Sequence, residues 1–230
     1  MGCVASRERY NTANLGEARP EPITAVLPGS SRLSAPNSYG LALRLFRLRE
    51  DYEIKDEKGA AAFRILGKLV SVRDRQYFAD HTGRKVAMLQ KKLLTFRPTF
   101  ILYSYSPAFE GQPSVDKDGE APVYRFGMIR TVLLSLPMRW EYLLYTTSNE
   151  TPEKVGEVQS LCSCYAMGVM SDVRGVPMFK FSQTAMVQVP GGIGSAASAF
   201  NLEVALGMDP LQAIAIGVSC QQLADEASNS

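Results

Sequence analysis

The chain has 230 residues, of which 46% are hydrophobic and 21% charged, and its formal net charge at pH 7 is +2. That length suits one large β domain or two small ones, and the near balance of charge argues against a polybasic nucleic-acid binder. No apolar run reaches the length of a signal peptide or a membrane-spanning helix, and the four cysteines (Cys3, Cys162, Cys164 and Cys220) fit no disulfide framework, so a reducing compartment is expected.

The chain opens Met1-Gly2-Cys3-Val4-Ala5-Ser6, the N-myristoylation pattern with Gly2 as acceptor and Ser6 in its expected place. Cys3 beside it is a natural site for palmitate. One myristoyl chain holds a protein to a bilayer only marginally, at about 10⁴ M⁻¹, so a second signal is required. Palmitate on Cys3 supplies it, and Arg7 and Arg9 add attraction to an anionic leaflet, partly offset by Glu8. Residues 1–38 then read as an acylated, flexible tail. Pro20, Pro22, Pro28, Gly29, Ser30, Ser31, Ser34 and Pro36 punctuate it without apolar periodicity, the composition of a tether.

From Tyr39 the pattern changes to short β-branched and aromatic runs between turn signals. Tyr52-Glu53-Ile54-Lys55, the turn Asp56-Glu57-Lys58-Gly59 and Ala61-Ala62-Phe63-Arg64-Ile65 predict a hairpin. Tyr77-Phe78-Ala79-Asp80, His81-Thr82-Gly83 and Lys85-Val86-Ala87-Met88 predict a second. Apolar runs around Phe100, Val123, Trp140 and Phe179 predict further strands, and no amphipathic helix of usual length appears between Tyr52 and Phe181.

A near-repeat runs through this body. Gly67-Lys68-Leu69-Val70-Ser71-Val72-Arg73 recurs as Lys91-Lys92-Leu93-Leu94-Thr95-Phe96-Arg97, and more loosely as Thr131-Val132-Leu133-Leu134-Ser135-Leu136-Pro137. An aromatic run follows each copy. The expectation is a strand-turn-strand unit repeated around a closed sheet, since closure removes the exposed edges that make open β proteins adhesive.

The last apolar stretch has the clearest meaning. Asp209 offers an N-cap oxygen and Pro210 occupies the first helical position, where its missing N–H costs nothing. The run from Leu211 to Cys220 is then apolar on nearly every face, so this helix is surrounded by protein or lipid. A helix over 209–224 measures about 23 Å, short of the ~30 Å of a bilayer core. Burial inside the protein is expected, in a domain spanning 39–225.

The runs Tyr52 to Arg73 and Asp80 to Phe100, with their Gly67-Lys68-Leu69 and Lys91-Lys92-Leu93-Leu94 blocks, resemble the LURP-one-related family. So does the closing run Asn201 to Val218. The resemblance covers roughly Tyr39 to Leu223. It implies the tubby C-terminal-like fold also assigned to phospholipid scramblases: a mainly β, closed antiparallel barrel enclosing a C-terminal apolar helix. The acylated tail and an insertion, Pro190-Gly191-Gly192-Ile193-Gly194-Ser195-Ala196-Ala197-Ser198-Ala199, stand outside that likeness.

Catalytic chemistry is not evident. His81 is the only histidine and sits in a turn. Cys162-Ser163-Cys164 lacks two further metal ligands at the required spacing. Gly191-Gly192-Ile193-Gly194-Ser195 lacks the Lys-Ser/Thr of a phosphate loop, and Asp116-Lys117-Asp118-Gly119-Glu120 lacks the later bidentate Glu of a calcium loop. No enzyme, metal or cofactor is expected, nor any nucleic-acid partner. Basic charge remains. Lys68, Arg73, Arg75, Arg84 and Lys85 lie in a segment poor in acid, and Arg73 and Arg75 would share a strand face. Tubby domains use a similar basic-x-basic pair for phosphoinositides, whereas a solvated barrel surface is the plain reading. The expected function is a non-enzymatic binding or adaptor module, lipid-anchored to the cytoplasmic face of the plasma membrane or another cytoplasmic membrane. It would recognise phosphoinositide or other anionic lipid, or a protein partner. The alternative is a scramblase-like phospholipid transporter.

Overall fold

A computed structural model describes residues 8–15, 37–44, 51–67, 75–92, 95–118, 121–145, 151–161, 167–188 and 196–228. A helical segment, α1 (8–12), comes first. Then follow β1 (Asn37–Arg44), β2 (Asp51–Asp56), β3 (Ala61–Gly67), β4 (Arg75–Asp80), β5 (Lys85–Lys91) and β6 (Thr99–Ser104). After them come β7 (Asp116–Asp118), β8 (Ala121–Val132), β9 (Arg139–Leu144), β10 (Glu153–Ser160), β11 (Met167–Asp172), β12 (Pro177–Gln188) and β13 (Ala196–Val204). The helix α2 (Pro210–Ser228) closes the chain.

The strands order as β6-β5-β4-β3-β2-β1-β13-β12-β11-β10-β9-β8-β7, and a further pairing of β6 with β8 joins the ends. With β7 an appendage on β8, the wall is a closed barrel of 12 antiparallel strands. Closure leaves the wall no free edge. Because the strands meander, the connections alternate between two rims. The turns after β2, β4 and β11 lie on one. The connections after β1, β3, β5, β8, β10 and β12 lie on the other.

Three turns on the first rim are built alike. Asp56, Asp80 and Asp172 each accept, through Oδ1, the N–H groups of the residues two and four positions on, at 2.9–3.1 Å. Three residues after each aspartate comes a glycine, Gly59, Gly83 or Gly175, with φ between 78° and 86°. That left-handed conformation is costly for any residue with a Cβ, so the Asp-x-x-Gly spelling of these hairpins is dictated by the backbone. The first two turns are the ones read from the sequence.

α2 enters the barrel from this same rim. Asp209 Oδ1 accepts the N–H groups of Leu211 at 2.8 Å and Gln212 at 3.3 Å, capping the helix as expected. Every position from 208 to 220 is buried. Ile214 and Ile216 share one core with Phe78, Phe100, Trp140 and Phe200, so the wall surrounds the helix rather than touching one side. The helix runs four residues beyond the expected end, to Ser228.

One boundary needs correction. Residues 196–199 of the insertion belong to β13. Ala199 pairs with Ala42 of β1 and Thr184 of β12, and that two-sided ladder overrides the weak strand preference of alanine. The second and third copies of the near-repeat each begin at a strand end, run through a loop of the second rim and lead into the next strand, β6 or β9, the strand-turn-strand placement expected of them. A second apolar cluster (Tyr77, Met88, Ile101, Tyr103 and Val123) packs apart from the helix, which is why β6 is buried at every position.

Candidate functional site

Of the basic candidates the structure describes Arg75, Arg84 and Lys85, and it sets Arg75 apart from the other two. Arg75 begins β4 and pairs in register with Gln90, whereas Lys85 begins β5 and pairs with Ala79. The β4–β5 hairpin therefore holds Arg75 at one rim and Arg84 and Lys85 at the other. Arg84 Nε lies 3.3 Å from Asp80 Oδ2, so its charge is engaged within its own turn. The hydrogen bond from the Thr82 hydroxyl, with the backbone N–H groups of Arg84 and Thr82, holds the Asp80 carboxyl below its ordinary value against the opposing effect of burial. Lys85 Nζ sits 4.0 Å from the centre of the Tyr77 ring and 6.0 Å from that of Tyr105. His81 is exposed in its turn. Gly2, Cys3, Lys68, Arg73, Cys162 and Cys164 lie outside the described residues.

A different site is built where the sequence gives no local sign of one. Within the stretch read as a tether, residues 8–15 lie against the barrel wall. The Tyr10 hydroxyl donates to Glu203 Oε1 at 3.2 Å, and Leu15 is buried. Lys180 Nζ lies 4.8 Å from the Tyr10 ring centre and 3.2 Å from Glu203 Oε2. Lys180 and Glu203 face each other across the β12–β13 ladder, which sets them side by side on the outer face. Burial pushes the Tyr10 hydroxyl up to about 12, so it stays a protonated donor at physiological pH. A ring resting on an ammonium and bonded to the paired carboxylate is a specific contact.

Beside this contact is a cleft of about 650 Å³, lined by Arg9 and Thr12 on one side and by Lys154, Glu157, Ser171 and Asp172 on the other. Lys154 and Glu157 in its lining belong to an ionic ladder across β8, β9 and β10. Arg130 Nε lies 2.7 Å from Glu141 Oε2, Lys154 Nζ lies 3.2 Å from Glu141 Oε1 and 3.0 Å from Glu157 Oε2, and Arg139 Nη1 lies 3.4 Å from Glu157 Oε1. Burial alone would raise the Glu141 carboxyl. The hydrogen bonds from Arg130 and Lys154 outweigh it and hold the group below its ordinary value. The ladder is a charge-neutralised surface, and nothing in it pairs a nucleophile with a base. Among the described residues no group of three or more His, Cys, Asp or Glu could hold a metal ion.

A model of the LURP-one-related family matches residues 42–220, most of the barrel and helix. Among solved structures, the X-ray structure of a protein from Arabidopsis thaliana is similar, with a TM-score of 0.54 and 13% identity over 89% of this chain and 98% of that one. At that identity the likeness speaks for the fold alone. No curated protein matches the chain.

Proposed function

The chain belongs to the LURP-one-related family, and from that premise we propose that it is a non-enzymatic binding module held to a cytoplasmic membrane face by acyl groups on Gly2 and Cys3. Its ligand class in this reading is an anionic, phosphoinositide-type head group. The observation that carries the reading is the docking of residues 8–15 on the barrel through Tyr10, Glu203 and Lys180. Gly2 lies six residues before the first described helical position, so at most about 20 Å of extended chain separates the acyl group from the docked segment. An anchor so short holds the barrel beside the bilayer. The scramblase-like alternative drew on the fold resemblance and on the apolar helix. Here that helix is enclosed, and no described helix is long and apolar enough to cross a membrane.

In a cell that carries out N-myristoylation, Gly2→Ala is expected to move the protein into the soluble fraction. Cys3→Ser should leave weak, reversible attachment, since one chain binds only marginally. Intact mass showing an unmodified Gly2 would overturn the anchor. The head-group part is tested separately on the unacylated chain. Arg73→Glu with Arg75→Glu should weaken its binding to phosphoinositide vesicles, most at low salt. Equal binding by both proteins would remove that pair from the reading.

A further inference from the structure

The near-repeat finds its use at the second rim. Its second copy forms the β5–β6 loop and its third the β8–β9 loop. These loops adjoin, since Thr99 of β6 pairs with Arg130 of β8 and the Thr131 N–H donates to the Pro98 carbonyl at 3.1 Å. At equivalent places in the two copies a hydroxyl ties down its loop. Thr95 Oγ1 donates to the Arg97 carbonyl at 2.7 Å. Ser135 Oγ donates to the Val132 carbonyl at 2.9 Å and accepts the Arg139 N–H at 3.1 Å. The next residue in each copy, Phe96 or Leu136, then stands out in solvent.

Phe96 is 90% exposed, Leu136 96% and Leu134 fully so. Leu134 also holds a φ of 57°, a left-handed conformation that leucine rarely adopts. Neither packing nor backbone preference accounts for a leucine there. Among the described residues the two other exposed large apolar ones, Val115 and Val173, lie at the opposite rim. Basic residues flank the apolar tip. Lys92 and Arg97 are exposed on either side of Phe96 and make no ion pair among the described residues, and Arg75 begins β4 at the same rim.

We infer that this rim is a second membrane contact, in which Phe96, Leu134 and Leu136 enter the interface of an anionic phospholipid bilayer while Lys92 and Arg97 meet its head groups. Apolar side chains on fixed loops with a basic collar match the two layers of such a surface, apolar within and negative outside. A water-soluble acidic partner would satisfy the lysine and arginine but leave three apolar side chains unaccounted for. The contact deepens the membrane reading without depending on acylation.

The test therefore uses the full chain made in bacteria without N-myristoyltransferase, mixed with phosphatidylcholine vesicles with or without phosphatidylserine. Wild type should bind the phosphatidylserine vesicles, and Phe96→Ser/Leu134→Ser/Leu136→Ser should bind them about tenfold more weakly or worse. Trp140 is the single tryptophan and is buried, so Phe96→Trp adds one exposed probe. Its emission should shift to the blue on phosphatidylserine vesicles and be quenched by lipid brominated in the acyl chain. Equal binding by the triple variant, or a Phe96→Trp spectrum unmoved by vesicles, overturns the contact. So does a blue shift without vesicles that disappears on dilution, which would assign the rim to a second copy of the chain. None of these outcomes bears on Gly2, so the acyl anchor stands or falls by its own experiment.

Discussion

Ile214→Ala and Ile216→Ala are each expected to destabilise the protein by about 2–5 kcal/mol, the cost of lost apolar burial plus the cavity left behind. Both side chains are fully buried in the core shared by helix and wall. They lie about 200° apart around the helix axis, so only an enclosure can bury both. For a protein of this size each substitution should lower the melting temperature by roughly 5–15 °C, a large share of a typical ~5–15 kcal/mol stability. A helix lying on a bilayer would behave differently: melting in solution would be unchanged, and membrane binding would weaken. Unmoved melting for both variants would refute the enclosed helix. The closed wall cannot easily collapse into the space left by three missing carbons, which places the expected cost towards the upper part of the range.

Gly168→Ala should be strongly damaging to the wall. A Cβ there would lie 2.4 Å from Phe181 Cζ and 2.6 Å from Cε1, with the Gln159 carbonyl oxygen at 3.2 Å. Gly168 and Phe181 face each other across the β11–β12 ladder, so the ring lies over the glycine. The ring cannot swing away, because it stacks on Phe200 at 5.2 Å between centroids. Forcing this overlap should cost about 1–3 kcal/mol or more. Phe181→Leu alone should also destabilise, through lost burial. The double variant should be less damaged than the sum of the two, by a coupling of about 0.5–3 kcal/mol. Additive losses in urea or thermal melts would mean that the ring and the glycine do not meet.

What the sequence reveals and what it hides divide along the range of the interactions. Asp209 and Pro210 announce a helix start, and an apolar run without a polar face announces enclosure. The Asp-x-x-Gly turns spell out their hairpins because the aspartate bonds its own next residues. Each of these signals lies within a few positions along the chain. The Tyr10 contact does not. Its partners Lys180 and Glu203 come from strands at the far end of the sequence, and a tyrosine among charged residues carries no mark of where it will dock. The spread of the basic set is hidden for a related reason. Arg75 and Lys85 are close in sequence, but an antiparallel hairpin folds them to opposite ends of its first strand. β10 (Glu153–Ser160) also escapes notice. Its outward positions carry Lys154 and Glu157 of the ionic ladder, so no apolar run marks it as a strand.

The pairing of β1 with β13 closes the wall with residues from opposite ends of the chain: Asn37 faces Val204. During synthesis the ribosome delivers β1 to β12 before β13, and α2 after β13. Until β13 emerges the nascent meander has two open edges, at β1 and at its newest strand. Local hairpins can form as they emerge, but the seam closes only with β13 and the barrel fills only with α2, so the loop-closure entropy of a long stretch of chain is overcome late. A ribosome that stops short of β13 therefore releases eleven wall strands with two open edges and nothing to wrap, a substrate for chaperones and proteases rather than a shortened version of the native molecule.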